Sequence, residues 1–265
     1  MSKFKNKEKV LSALKNKSFV KIISGIQNYD KQKTLSVAMS GELGGASALD
    51  ISDKAEIIET VRASVQLPLF VSSLDPSKLI AAQELGADVL EIGNYESFYK
   101  EGRMFTPKEI IDIVQKVKNS LAEDILLCCT IPATLEIENQ VKLAKKVVSL
   151  GVDIIQTEGF AIQSQPSERK DQSYNELLKA ASTLTNTIEI RKALPNVNII
   201  TASGITLTTT PLAIAMGASG VGIGNYINSL TSQVEMTEKV EEIVDSINNF
   251  ISKPIEKFKI AALKV

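Results

Sequence analysis

The sequence predicts a single (β/α)8 barrel (TIM barrel) of the α/β class, with an extra N-terminal helix and further helices at the C-terminus. Three observations support this prediction. Eight short apolar runs alternate with stretches of helical periodicity, no flexible linker divides the chain, and its 265 residues fit the ~250 typical of such barrels. We expect residues 1–18 to form a helix capping the underside of the barrel, and residues 19–265 to form the barrel as one domain.

Buried parallel strands are predicted at the eight apolar runs, because strands covered on both faces are apolar throughout. The runs span residues 19–23, 48–51, 68–71, 89–92, 125–129, 152–157, 197–201 and 221–223. Thr106, Pro107 and Glu109 combine a capping box with proline at the first helical position, which predicts a helix start. Asp75 before Pro76 predicts a second helix start. Strands and helices therefore alternate along the chain.

An internal repeat places one special residue at the same point of every second strand. The repeated segments are Gly45–Asp50, Gly86–Glu91, Gly151–Gln156 and Gly217–Gly222. The leading glycine suits a left-handed residue that ends the preceding helix. Alternate strands of a barrel together supply one layer of four interior side chains. We therefore expect a layer near the carboxyl ends of the strands, polar on three sides and open at the glycine: Asp50, Glu91, Gln156 and Gly222.

Charged and polar groups inside such a layer are costly unless something pairs with them. Lys21, in the first strand, is the cation expected to do so. Lys21, Asp50, Glu91, Gln156 and the nearby Glu158 are therefore candidate catalytic residues at the barrel end that carries active sites. A lysine beside carboxylates can serve as a base or Schiff-base amine, which suits isomerase or lyase chemistry. The alternative is a buried network that only fixes the interior.

The composition excludes several kinds of chemistry. The chain has no histidine, so it has no Ser-His-Asp or Cys-His catalytic system and no histidine metal ligand, and no metal is expected. A net charge of −1 and four arginines argue against a nucleic-acid partner. No apolar stretch approaches the ~20 residues that cross a bilayer, which predicts a soluble protein with no membrane partner. Cys128 and Cys129 are expected to be reduced core thiols.

Two glycine-containing turns near the C-terminus predict a phosphate site. Barrels commonly bind phosphate at the loops after strands seven and eight, through backbone amides and a short extra helix. The candidate phosphate-binding residues are Ser203, Gly204, Gly222, Gly224 and Asn225. The pattern is similar to barrels that hold a phosphorylated metabolite or flavin mononucleotide (FMN). The alternative is that these glycines only permit tight corners.

Two long connections, residues 93–105 and 159–171, are expected on the same face and are candidate lids. The first contains Asn94 and Arg103, which we predict to act as lid residues over a ligand. It also holds four aromatic residues: Tyr95, Phe98, Tyr99 and Phe105. The alternative for the first connection is that its aromatic residues pack in a small satellite cluster. The alternative for the second, polar connection is that it is a solvated loop.

Four segments together resemble a known family: residues 21–30, 91–99, 155–159 and 202–205. Their residues are KIISGIQNYD, EIGNYESFY, IQTEG and ASGI. The chain is thus similar to the family of hypothetical chloroplast open reading frame number twenty-three, from about Lys21 to the C-terminal helices. The resemblance implies an aldolase-type barrel located in the plastid, in the chloroplast stroma. It assigns no catalytic residue.

Three functional hypotheses remain open from the sequence. The first is an isomerase or lyase that binds a small phosphorylated metabolite. The second is a non-catalytic barrel that senses a metabolite or nucleotide. A further alternative is an FMN-binding oxidoreductase. The third is a homo-oligomeric scaffold, which rests only on the frequency with which barrels self-associate.

Overall fold

The computed structural model describes residues 3–93, 95–159 and 171–252, and it forms a closed barrel of eight parallel strands arranged in chain order. The predicted fold class is therefore confirmed. The strands are β1 (Phe19–Ile23), β2 (Ala48–Ser52), β3 (Leu69–Ser73), β4 (Val89–Ile92), β5 (Leu126–Ile131), β6 (Ile154–Thr157), β7 (Asn198–Thr201) and β8 (Gly220–Ile223). The strand bounds differ from the predicted runs by up to two residues.

Helices connect the strands and flank the barrel. They are α1 (Lys3–Lys15), α2 (Lys31–Leu43), α3 (Ala55–Ser64), α4 (Pro76–Glu84), α5 (Glu96–Lys100), α6 (Pro107–Lys118), α7 (Ile137–Ser149), α8 (Gln172–Ala193), α9 (Thr210–Ala215), α10 (Asn225–Asn228) and α11 (Gln233–Ser252). None of the helices in the described part of the chain is long and apolar enough to span a membrane.

Local signals in the sequence act as predicted. Thr106 and Glu109 form a reciprocal capping box with Pro107 at the start of α6, and the Asp75 side chain caps α4. The four leading glycines of the repeat all have positive φ, between 77° and 106°. These residues end each helix and release the chain into the next even-numbered strand.

The barrel encloses one apolar core and carries a second between its outer face and the helices. Val10 and Leu14 of α1 are buried in the inner core, near Phe19 and Phe70, whose ring centroids are 5.9 Å apart. Helix α1 therefore closes the amino-terminal end of the barrel. Both cysteines are free and buried, with Cys128 in the inner core and Cys129 in the outer one, as predicted.

Candidate active site

A buried ion cluster lies inside the barrel. The Lys21 Nζ donates to Asp50 Oδ2 at 3.0 Å and to the Glu91 carboxylate, and all three side chains are fully buried. Lys21 also lies over the Phe70 ring, 4.6 Å from its centroid. The sequence placed these three charges near one another, and the structure brings them into direct contact.

Polar neighbours satisfy the carboxylates of this cluster. Gln156 Nε2 donates to Glu91 Oε1 at 2.6 Å, and the Thr130 hydroxyl donates to the same oxygen at 3.1 Å. The Ser72 hydroxyl donates to Asp50 Oδ1 at 2.6 Å. Buried carboxylates with this many donors are held in one geometry. The cluster therefore fixes the interior of the barrel just below its mouth.

The predicted layer is confirmed on its three polar sides, and its fourth position, Gly222, borders a cleft at the carboxyl ends of the strands. A Cβ on Gly222 would lie 3.0 Å from Ile23 Cδ1, 3.1 Å from Ala202 Cβ and 3.3 Å from Gln156 Oε1. A side chain at this position would thus press on residues of neighbouring strands. Gly222 is needed because the interior is close-packed at this height.

The charge state of the cluster follows from its partners. Burial alone would lower the pKa of Lys21, but the charges of Asp50 and Glu91 outweigh burial and hold that pKa well above its usual value. Burial raises the pKa of Glu91 despite the Lys21 ion pair, and one ammonium cannot neutralise two carboxylates. Lys21 is therefore a cation at neutral pH, not a free amine.

A cleft of about 1130 Å³, here called the main cleft, opens at the carboxyl ends of the strands. Its wall includes residues that follow β1, β6, β7 and β8, and this is the barrel end at which active sites are built. All five predicted phosphate-binding residues line it: Ser203, Gly204, Gly222, Gly224 and Asn225. Lys21, Asp50, Glu91 and Gln156 do not line the main cleft and lie beneath it.

The turn after β7 has an unusual backbone. Ser203 and Gly204 are consecutive residues with φ of 68° and 70°. A serine in this region is strained, and such strain tends to occur where a site needs a particular backbone shape. Among the described residues, nothing accepts a hydrogen bond from the amides of Ser203 and Gly204. Gly204 also packs tightly, since a Cβ there would lie 2.7 Å from the carbonyl oxygen of Lys179.

The turn after β8 leads directly into α10. Gly224 is the N-cap, and its carbonyl accepts from the amides of Ile227 and Asn228, both at 3.0 Å. The amide of Asn225, the first helical residue, has no acceptor within the described part of the chain. The two turns therefore bring to the main cleft three residues whose amides have no acceptor in the described ranges, together with the cations Lys33 and Lys179.

Glu158 is the predicted catalytic residue that does line the main cleft. Its carboxylate accepts hydrogen bonds from the Glu96 amide and the Tyr99 hydroxyl, each at 3.0 Å. Burial raises the pKa of Glu158 to about 8, although the Tyr99 and Glu96 hydrogen bonds oppose that shift. A carboxyl group with such a pKa carries a proton for much of the time at neutral pH.

The aromatic connection, residues 95–105 as described, packs largely against the outer core. This outcome matches the alternative interpretation, in which its aromatic residues serve packing. Tyr95 and Phe105 are buried in the outer core with ring centroids 4.6 Å apart, and the Tyr95 hydroxyl donates to the Thr130 carbonyl at 3.1 Å. Arg103 lies 4.6 Å from the Phe105 centroid and lines a separate cleft of about 220 Å³. Asn94 and residues 160–170 of the second candidate lid lie outside the described residues.

Several residues that line the main cleft are not among the predicted site residues. These are Ser24 and Asn28 after β1, Glu96, Ser97 and Lys100 on α5, Glu176 and Lys179 on α8, and Asn228 on α10. The turn after β1 was predictable in part, because β1 closes the barrel against β8 and its end must face the same mouth. The positions on helices carry no local sequence signal.

Known structures share the fold. A 3-hexulose-6-phosphate synthase is 14% identical with a TM-score of 0.60, covering 86% of this chain and 99% of that chain. A truncated 3-deoxy-D-arabino-heptulosonate 7-phosphate synthase from Thermotoga maritima is 13% identical with a TM-score of 0.57, covering 87% and 84%. At these identities the likeness concerns the fold alone. The molecule is thus a (β/α)8 barrel protein whose candidate site lies at the carboxyl ends of its strands.

The family is identified by sequence. A family model described as a protein of unknown function (DUF561) matches residues 4–253. The uncharacterized protein ycf23 of Pyropia yezoensis is 38% identical over 242 residues, which are 91% of this chain and 87% of that protein. The protein of the same name from Cyanidium caldarium is 36% identical over 250 residues, 93% and 96% of the two chains. The chain belongs to the ycf23 (DUF561) family, and the resemblance inferred from its motifs is confirmed.

Proposed function

We propose that this protein is an enzyme that binds a small phosphorylated metabolite in the main cleft. The amides of Ser203, Gly204 and Asn225 hold the phosphate, and Glu158 exchanges a proton with the bound compound. The reaction class that fits is isomerisation or lyase chemistry. The observation that carries this proposal is the strained Ser203–Gly204 turn, which lines the cleft and whose amides find no acceptor among the described residues.

Backbone amides and lysines of the cleft wall support an anionic ligand, within a lining that also holds Glu96, Glu158 and Glu176. Buried or partly buried amides bind anions well because each N–H presents a partial positive charge at short range. Lys33 and Lys179 add full positive charges to the same cleft. No histidine is needed for such a site, since amides and lysines supply its positive charge.

Proton transfer is assigned to Glu158 because of where its carboxyl group lies. An effective general acid or base has a pKa near the working pH and reaches the bound compound. Glu158 lines the cleft and has a pKa of about 8. The sequence hypothesis gives this role to Lys21 with Asp50 and Glu91, but they are fully buried below the cleft and Lys21 stays protonated. We propose that they supply a fixed charge arrangement beneath the ligand.

A matched pair of variants at Asn225 tests the phosphate site. Proline is tolerated at the first position of a helix, so Asn225→Pro removes the amide donor, whereas Asn225→Ala keeps it. Calorimetric titration with inorganic phosphate is expected to show binding to wild type and to Asn225→Ala, and about tenfold weaker binding to Asn225→Pro, the loss typical of one hydrogen bond to a charged group. Equal affinities of all three proteins for inorganic phosphate would refute the proposal, provided that thermal unfolding shows Asn225→Pro to be folded.

The non-catalytic sensor is the second candidate. The buried Lys21 cluster favours it, because four of the five predicted catalytic residues do not line the main cleft. A bound phosphate ester that is never converted would support the sensor. The FMN alternative predicts a yellow protein with flavin absorbance after purification. We further propose a plastid location, in the stroma, on the basis of family membership; fluorescence microscopy of a tagged protein tests it.

A further inference from the structure

The smaller cleft of about 220 Å³, here called the side cleft, lies at the same end of the barrel as the main cleft. Its wall includes Asp53, which follows β2, and Ser73 and Asp75, at and just beyond the end of β3. Ile26 and Gln27, in the turn after β1, line both clefts. The two clefts therefore adjoin at this turn.

The charged groups of the side cleft are unequally paired. Asp53 pairs with Lys78 at 3.3 Å and also accepts from the Ser73 hydroxyl. Asp75 Oδ1 accepts from the Ser77 amide at 2.9 Å, as the N-cap of α4. The remaining charged residue of the lining is Arg103. None of the ion pairs within the described ranges involves Arg103.

The guanidinium of Arg103 is stacked on aromatic rings. Its central carbon lies 4.6 Å from the Phe105 centroid and 5.9 Å from that of Phe98, which itself lines the side cleft. The charge of Arg103 also acts on Glu109, but that carboxylate accepts from the amide and hydroxyl of Thr106, both at 2.7 Å. A guanidinium stacked by its face keeps its N–H edge available, and that edge binds a carboxylate or phosphate through two parallel hydrogen bonds.

We propose that the side cleft is an anion subsite, in which the guanidinium of Arg103 binds a carboxylate or phosphate group. Because the side cleft adjoins the main cleft at Ile26 and Gln27, this group belongs to the same ligand as the phosphate held after β7 and β8. The ligand is therefore a metabolite with two anionic groups, one in each cleft. This inference rests on the proposed function and adds the substrate class to it.

NMR titration with inorganic phosphate tests the two sites separately. Saturable shifts are expected at the Arg103 Nε–H resonance and at the amides of Ser203 and Gly204, with sodium chloride at equal ionic strength as the control. Shifts at the two amides but not at Arg103 overturn this inference and leave the proposed function standing. Shifts at Arg103 alone support the subsite but refute the proposed function. No saturable shift at either place overturns both.

Linear alkanediol bisphosphates of increasing length test whether one ligand occupies both clefts. In calorimetric titrations, the length that spans the two sites is expected to bind at least about tenfold more tightly than the monophosphate of the same chain, because a second charged contact adds to the first. An advantage at no length overturns the inference.

The Arg103→Gln variant locates this effect. Arg103 is exposed, so the variant is expected to fold and to lose the tenfold advantage. Lys108→Gln, which removes an exposed cation on α6, is the matched control and keeps the advantage. An advantage that persists in Arg103→Gln overturns the assignment of Arg103. Separate arms with a phosphate at one end and a carboxylate at the other show which of the two groups the side cleft prefers.

Discussion

The Tyr99 hydroxyl donates a hydrogen bond of 3.0 Å to Glu158 Oε2, and this contact joins helix α5 to the end of strand β6. The same carboxyl group accepts from the Glu96 amide at the start of α5. The proposed proton-transfer group is thus held by a short helix that lies at the cleft mouth. Its pKa depends on two opposing effects, burial in the wall and hydrogen bonds from α5.

Tyr99→Phe tests that dependence. The Tyr99 hydrogen bond lowers the pKa of Glu158, so its removal is expected to raise this pKa above about 8. Infrared or carbon-13 NMR titration of the Glu158 carboxyl group measures the shift directly. Tyr29→Phe, at a half-exposed ring away from Glu158, is the control and leaves the titration unchanged. A lower pKa of Glu158 in Tyr99→Phe would contradict the assigned contact.

Glu158→Gln is expected to change how stability depends on pH. The Glu158 pKa is about 8 in the folded protein against 4.5 for an unperturbed carboxyl group, so between these values the folded state holds a proton that the unfolded state has released. The contribution of Glu158 to stability therefore falls as the pH rises from about 4.5 to 8. Urea unfolding across this range should show a shallower decline for Glu158→Gln than for wild type.

The control for this experiment is Glu59→Gln, at an exposed carboxyl group on α3. Its stability profile is expected to follow that of wild type. If Glu158→Gln and wild type give parallel profiles, the raised pKa of Glu158 is refuted.

Lys21→Met is expected to destabilise the protein severely. Without the ammonium group, Asp50 and Glu91 remain buried with no cation, and breaking a buried ion pair in this way costs about 3–5 kcal/mol of unfolding free energy. The triple variant Lys21→Met, Asp50→Asn, Glu91→Gln removes all three charges and should recover most of that loss. Urea denaturation measures both. A Lys21→Met protein as stable as wild type would show that the cluster does not pair as described.

Gly204→Ala and Gly102→Ala separate backbone strain from close packing. Both glycines have positive φ, 70° and 81°, but a Cβ meets the Lys179 carbonyl at 2.7 Å in the first case and has no atom within 4 Å in the second. Gly102→Ala is expected to cost about 1–2 kcal/mol, the price of a left-handed alanine. Gly204→Ala should cost more than that in thermal unfolding and should also weaken phosphate binding. Equal effects on stability would show that the turn after β7 is not tightly packed against α8.

The barrel was predictable from the sequence because each of its elements carries a local signal. Apolar runs mark the strands, glycines mark the helix ends, and the five-residue spacing from Gly45 to Asp50 and from Gly86 to Glu91 fixes which side chains point inward. The pairing of these two carboxyl groups with Lys21 followed from the cost of burying charge.

The details of the mouth were not predictable, because they depend on contacts between distant segments. Arg103 was expected over the ligand, but its guanidinium stacks on Phe105 beside a separate cleft. Gly222 borders the main cleft, but the close approach of Ile23 and Ala202 to the place of its missing side chain was not predicted. The side chain of Asn228 is held by a hydrogen bond to the carbonyl oxygen of Ile23, 205 positions away in sequence.

The central claim is that backbone amides after β7 and β8 bind phosphate, and NMR titration of an amide-labelled protein with inorganic phosphate tests it most directly. The account predicts that the amide resonances of Ser203, Gly204 and Asn225 move together along one saturable binding curve, with the shifts expected of new hydrogen bonds. Saturable shifts confined to other parts of the chain, or no saturable shift at these three amides, would contradict it.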